Sequence, residues 1–234
     1  MGAIFLKEFR SYFNSPIAYI VIGLFILLTS IFFTPFLFYR MGDFTYNLPT
    51  MGFILIFVIP VLTMRLIAED RKNGTEVLLV TSPVSITGIV MGKYLASLCV
   101  FLIMTCITFI YPVILLLFGA KFTVQLVGGY IGFVLLGASF IAVGEFASSL
   151  TENQVVAVII GFASLLVMWI ADALAGVVGG FGAKVLNWFS LMSRYEEFNQ
   201  GILALSPVVY YLSFIAVFLF LTTRVIEKRR WSQG

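Results

Sequence analysis

Residues 17–39 read IAYIVIGLFILLTSIFFTPFLFY, an unbroken apolar run with no Asp, Glu, Lys or Arg. A buried helix in a soluble core uses about 10–14 apolar residues, whereas one crossing the roughly 30 Å hydrocarbon layer needs about 20. The run is therefore a membrane span. It is longer than the apolar region of a secretory signal and no small-residue cleavage site follows it, so Lys7 and Arg10 flank a retained helix. Five further apolar runs, each with a single charged residue, occupy residues 50–68, 92–118, 126–148, 154–174 and 207–226. The predicted fold class is all-α integral membrane, six transmembrane helices in one transmembrane domain covering 1–234.

Composition agrees, with 61% hydrophobic and 11% charged residues against about 25% charged in a soluble domain. Six spans put both termini on one side. Lys7, Arg10, Arg65, Arg71, Lys72, Lys93, Arg224, Lys228, Arg229 and Arg230, ten of the 14 basic residues, share that side, leaving Arg40, Lys121, Lys184 and Arg194 on the other. Basic residues concentrate on cytoplasmic loops. The expected location is thus the cell (cytoplasmic) membrane, multi-pass, with both termini cytoplasmic and Trp231 anchoring the last helix at the inner interface.

Residues 1–15 carry Ile4, Phe5, Phe9, Tyr12 and Phe13 at helical spacing, with Lys7, Arg10 and Asn14 opposite. This reads as an interfacial helix. The alternative is the ordinary charged start of the first span, against which Ser15-Pro16, a cap followed by Pro at the first helical position, marks a fresh helix. In span four Gly128 and Gly132 have the spacing that admits a close neighbouring helix, a pattern common by chance. Glu145 and Asp172 sit near span ends and are read as solvated helix-end charges.

Several functions are excluded. The chain has no His, which removes zinc-protease motifs, His-based triads and His-ligated haem. Its basic residues form small clusters between apolar runs, not one basic face, so no nucleic acid partner is expected. Cys99 and Cys106, about two helical turns apart, are too distant for a mutual disulfide. The segment from Gly88 to Tyr94 only superficially suggests a phosphate loop: the glycine spacing is one residue short and Tyr94 replaces the magnesium-binding hydroxyl. The chain is read as no enzyme, with no metal site and no cofactor of its own.

Two segments remain. Residues 69–93, EDRKNGTEVLLVTSPVSITGIVMGK, form the most polar stretch on the expected inner side. Asn73-Gly74 is a turn signal, Glu76 precedes the apolar Val77, Leu78 and Leu79, and Ser82-Pro83 is read as the start of the next helix. The residues allow either a plain helical hairpin whose leucines dip into lipid or a short helix that docks a partner. Residues 175–206 open with Gly176, Gly179, Gly180 and Gly182 and then turn amphipathic, with Val185, Leu186, Phe189, Met192 and Phe198 on one face and Lys184, Asn187, Arg194 and Glu197 mostly on the other. This stretch is either a re-entrant segment or an external loop with interfacial Trp188 and Tyr195.

The 69–92 loop resembles the first cytoplasmic loop of ABC-2 type permeases at Glu69, Arg71, Lys72, Gly74, Thr75, Glu76, Leu78, Leu79, Pro83 and Val84, and the match continues at Gly92 and Lys93. Lys7-Glu8-Phe9, Asn14-Ser15-Pro16, Arg194-Tyr195-Glu196 with Phe198, Gly201-Ile202, Tyr210-Tyr211 and Glu227 with Arg229-Arg230-Trp231 extend it towards the gliding-motility-type subgroup. Ile86 and Thr87 depart from the acidic or aromatic residue expected there. The resemblance implies a permease subunit of an ATP-binding cassette transporter, exporting a hydrophobic or amphiphilic substrate. It implies that residues 74–79 form a coupling helix on a separate ABC ATPase subunit, which carries ATP and Mg, and that a second permease copy or a homologue completes the assembly. It further implies that short re-entrant helices close the outer end; here Trp188, Phe189, Tyr195, Glu196 and Phe198 would form that gate. The same resemblance leaves open a membrane module that transmits force or signal to an extracytoplasmic or membrane partner without moving substrate.

Overall fold

A computed structural model describes residues 1–38, 44–76, 84–120, 123–202 and 204–232. Among them the chain is helical, without strands: α1 (Gly2–Asn14), α2 (Pro16–Phe38), a 3-10 turn (Phe44–Asn47), α3 (Leu48–Thr63), α4 (Ala68–Lys72), α5 (Ile86–Thr108), α6 (Ile110–Leu117), α7 (Val124–Leu150), α8 (Gln154–Val178), α9 (Gly180–Phe189), α10 (Leu191–Asn199) and α11 (Leu205–Ser232). Six stretches are long and apolar enough to cross a membrane: Pro16–Phe38, Leu48–Lys72, Ile86–Leu117, Val124–Leu150, Gln154–Ala171 and Leu205–Arg229. These are the six runs expected from sequence. The main boundary difference is at the third, which begins at Ile86 behind a Ser85 cap and not at Ser82-Pro83, two residues outside the described set. The Ser85 hydroxyl accepts from the Gly88 amide at 3.1 Å, which satisfies a first-turn donor that the helix itself cannot.

α3 and α7 are enclosed along most of their spans, whereas α2, α8 and α11 keep most of their surface outward. α7 packs against α3, α5, α8, α10 and α11, and its glycines allow this. A Cβ on Gly132 would stand 2.8 Å from the Phe198 Cβ, and one on Gly144 would stand 2.2 Å from the Thr63 hydroxyl. Lipid tails are as apolar as side chains, so close backbone packing supplies much of the association between spans. Gly132 of the expected pair therefore receives α10.

The first helix ends where Ser15-Pro16 predicts. Ser15 is extended, and Pro16 opens α2. α1 buries Ile4, Glu8 and Tyr12 and leaves Lys7, Arg10 and Asn14 exposed. Phe5, Phe9 and Phe13 follow one another along its flank, with ring centroids 5.9 and 5.1 Å apart.

The third span is interrupted at Phe109, between α5 and α6, for an identifiable reason. Pro112 has no N–H, so the carbonyl of Thr108 loses its helical donor, and in hydrocarbon an orphaned carbonyl is costly. The Tyr130 hydroxyl of α7 donates to that carbonyl at 3.1 Å. Beyond the interruption, the Tyr111 hydroxyl lies 2.8 Å from the Thr29 hydroxyl and donates to the Ile26 carbonyl at 3.1 Å, tying α6 to α2. Phe44 fills the space between, 5.9 Å from the Tyr111 ring and 5.8 Å from that of Phe33.

Tyr130→Phe is expected to cost about 1–3 kcal/mol, the penalty for an unsatisfied buried acceptor, read as a lower thermal midpoint in detergent. Adding Pro112→Ala, which returns an N–H to the Thr108 carbonyl, is expected to recover most of that loss. A Tyr130→Phe variant as stable as the parent would contradict the assignment.

Candidate functional site

The residues of the 69–93 loop owe their placement to a charge buried in the neighbouring helix. Lys93 lies in the second turn of α5, and its side chain is 3% exposed. Next to it Gly92 leaves room for α1: a Cβ there would stand 3.0 Å from the Ile4 side chain. One turn further along α1, Glu8 meets Lys93, with Oε1 2.9 Å from Nζ. Lys93 also donates to Asp70 of α4. The exposed Lys7 adds a second cation 3.5 Å from Glu8. One ammonium thus joins α1, α4 and α5. Removing one partner of such a desolvated cluster costs on the order of 3–5 kcal/mol, because the remaining charge stays buried.

Arg65 fixes the same corner from the end of α3. Its guanidinium donates to the Ser15 hydroxyl at 3.0 Å and to that of Ser11, and lies 4.9 Å from the centre of the Tyr12 ring. The Tyr12 hydroxyl donates to the Leu62 carbonyl at 2.8 Å and is 3.0 Å from the Ser97 hydroxyl; burial pushes its ionisation above the ordinary tyrosine range, against the opposing pull of Ser97. The start of α4 is held by α7, because the amides of Ile67 and Ala68 both donate to the Ser148 hydroxyl at 3.1 Å.

The loop residues singled out from sequence divide into two sets. Arg71 is turned inward, where it forms a two-pronged pair with Glu76 at 2.9 and 3.2 Å and donates to the Ser149 carbonyl. The Thr75 hydroxyl donates to the Asp70 carboxylate at 2.8 Å. Arg71, Thr75 and Glu76 therefore hold the loop's shape. Lys72, Asn73 and Gly74 face outward, and Glu69, 3.5 Å from Arg65, is part-exposed. Gly74 has a φ of 70°, the left-handed conformation that the Asn73-Gly74 turn requires. Thr75 and Glu76 resume helix; Val77, Leu78, Leu79 and Pro83 lie outside the described residues. Among the described loop residues the outward face consists of Lys72, Asn73 and Gly74.

Glu145 corrects another expectation. It is fully buried on α7, not solvated at a helix end, and neither carboxylate oxygen has a hydrogen-bond partner among the described residues. Sequence places it near the inner end of span four, but α4 packs on α7 there, with the amides of Ile67 and Ala68 bonded to Ser148. The side chain of Asp172 lies outside the described set.

At the far end of α7, two short helices, α9 and α10, occupy most of the 175–206 segment between α8 and α11. α8 runs through Gly176 to Val178, and Gly179 and Gly180, with φ of 65° and 59°, turn the chain. Ser190 then interrupts it, because its side chain accepts from the Ser193 amide at 3.3 Å and caps α10. Of the five gate residues, Tyr195 and Phe198 are fully buried. Phe198 fits over Gly132, 6.4 Å ring to ring from Tyr211, whose hydroxyl donates to the Leu191 carbonyl at 2.7 Å. Tyr195 is not the interfacial ring of the loop alternative; burial pushes its ionisation upward, and its hydroxyl has no partner among the described residues. Trp188 and Glu196 are exposed, and the Trp188 carbonyl accepts from the Tyr210 hydroxyl at 2.6 Å. The Phe189 side chain lies outside the described set. Of the four described, Tyr195 and Phe198 are turned into the bundle and Trp188 and Glu196 outward.

Sequence reasoning missed Glu8 and the central place of Lys93. The available signal was Glu8 itself, which falls on the apolar stripe between Ile4 and Tyr12, where a charge demands a partner. Among the described residues no group of three or more His, Cys, Asp and Glu is placed to hold a metal ion.

The family described as ABC-2 family transporter protein matches residues 40–193, about two thirds of the chain. No curated protein matches the sequence. The match includes α4, its loop and Lys93, but ends before α11.

Lys93→Met is expected to lower stability by about 3–5 kcal/mol. Combining it with Glu8→Gln and Asp70→Asn, which removes the stranded charges, is expected to restore most of the loss in a denaturant titration. Strict additivity of the three substitutions would rule out a single coupled cluster.

Proposed function

We propose, from the premise that this chain belongs to the ABC-2 family of transporter proteins, that residues 69–79 pass the ATP-driven motion of a separate ABC ATPase subunit into the membrane helices. The family is one of membrane subunits that are generally not catalytic themselves and normally pair with an ABC ATPase. The observation that carries the reading is the attachment of the inner loop. Lys93 and Asp70 fasten it to α5 and α1, and Ser148 and Ser149 fasten it to α7. A force applied at Lys72 to Gly74 would then reach several spans at once.

In this reading the bundle is half of an exporter completed by a second permease copy or a homologue, since closed two-fold assembly is the usual arrangement. α2, α8 and α11, which keep most of their surface outward, supply area for that partner as well as for lipid. The cargo is a hydrophobic or amphiphilic compound, and α9 and α10 close the outer end, with Tyr195 and Phe198 as its buried part. Both termini face the cytoplasm of the cell membrane. The gathering of Lys7, Arg65, Arg71, Lys72 and Lys93 at one end of the bundle supports that orientation through the basic-residue bias of cytoplasmic loops.

The test uses the chain reconstituted with the ATPase that co-purifies from its native membrane. Lys72→Glu and Leu78→Asp are expected to reduce the ATPase activity stimulated by this chain at least about tenfold, about 1.4 kcal/mol in activation free energy, without altering insertion or thermal midpoint. Glu76→Lys is expected to lose coupling together with some stability, because it breaks the Arg71 pair. Unchanged coupling in all three variants would overturn the docking role. Stimulation by an extracytoplasmic protein alone, with no response to any amphiphile, would move the chain from export to force transmission.

A further inference from the structure

On the flank formed by α5 and α11 lies a groove of about 480 Å³. Its floor is apolar, with Met91 from α5 and Leu212, Ile215 and Phe220 from α11, while Thr87, Arg224 and Glu227 line its basic end. From Leu212 to Glu227 the groove follows α11 for about 22 Å at 1.5 Å per residue. Half of the hydrocarbon layer is about 15 Å thick. The groove therefore has the length of one leaflet, acyl region plus headgroup, and its polar end lies where the headgroups would be.

The polar end contains charges of both signs. The Arg224 guanidinium donates to the Glu227 carboxylate at 2.9 Å and stacks 4.8 Å from the centre of the Phe220 ring. Thr87 belongs to the first turn of α5, the positive pole of that helix, where amide donors lack partners within the helix. A phosphate seated between Arg224 and this turn would meet two sources of positive potential. The neighbouring carboxylate would meet an ammonium. The Arg224 side chain is 62% exposed, and an exposed ion pair contributes little, so a headgroup can replace it at small cost.

We infer that this groove is a site for a phospholipid of the basic-end leaflet whose headgroup joins a phosphodiester to a primary ammonium, as in phosphatidylethanolamine. Arg224 and the start of α5 take the phosphate, Glu227 takes the ammonium through hydrogen bonds, and one acyl chain lies along Met91, Ile215 and Leu212. A trimethylammonium headgroup has no N–H to donate to Glu227. A singly anionic headgroup brings no cation to Glu227, which then repels it.

The experiment is native mass spectrometry of the full chain in mixed micelles containing phosphatidylethanolamine, phosphatidylcholine or phosphatidylglycerol with identical acyl chains. Phosphatidylethanolamine is expected to be retained about fivefold or more over the other two, a difference well within one hydrogen-bonded ion contact. Glu227→Gln removes that preference, Arg224→Gln weakens retention of all three lipids, and Ala216→Trp, which fills the groove, does the same. Each variant is first shown to keep the parent's thermal midpoint; if Ala216→Trp does not, Ala216→Leu replaces it. Equal retention of the three lipids, a preference for phosphatidylglycerol, or selectivity unaffected by Glu227→Gln overturns the assignment. So does a disulfide between copies of an Ala216→Cys variant in native membranes, which would give the groove to a second chain.

Discussion

One ammonium group, buried beside two carboxylates, fixes one end of this bundle. Lys93 reaches Glu8 in α1 and Asp70 in α4, and all three groups have left most of their water. Charges in that position are stable only together, so the three helices that carry them cannot separate without exposing an unpaired ion. The surrounding contacts extend the same constraint. Arg65 clamps Ser11, Ser15 and Tyr12, Ser148 caps the start of α4, and Arg71 locks Glu76 while bonding to the backbone of α7. An extramembrane loop that would otherwise be a loose connection is thereby made continuous with the spans.

The rest of the bundle is assembled by different physics. Between the spans the contacts are apolar, and specificity comes from where backbones approach closely, as Gly132 does under Phe198 and Gly144 beside Thr63. Several polar groups of the spans are paired with one another. Tyr130 answers the carbonyl that Pro112 frees, and Tyr111 joins α2 to α6. The Glu145 carboxyl and, on α10, the Tyr195 hydroxyl are buried without a hydrogen-bond partner among the described residues.

Span number and position were legible because they depend on counting: about 20 apolar residues either occur in a row or do not. The break at Ser15-Pro16 and the turn at Asn73-Gly74 were legible because Pro and Gly impose local backbone geometry that no tertiary contact needs to supply. The partners of Lys93 were not. Glu8 lies 85 residues away, and only the fold brings them together, although a carboxylate on the apolar stripe of α1 was a sign that some cation must meet it. For the same reason Arg71, Thr75 and Glu76 read as surface residues in sequence, where a polar loop gives no indication which of its charges turn back onto the bundle. The division of α9 from α10 rested on Ser190, a cap hidden inside a pattern that otherwise ran on with helical period.

The central claim is that the outward face of the inner loop meets an ATPase subunit. The most direct measurement places a photo-crosslinking amino acid at Lys72 in the native membrane and identifies the adducts by mass spectrometry. An adduct with an ABC-type ATPase is expected, suppressed when Lys93→Met loosens the loop. Adducts only with lipid or with this chain would contradict it.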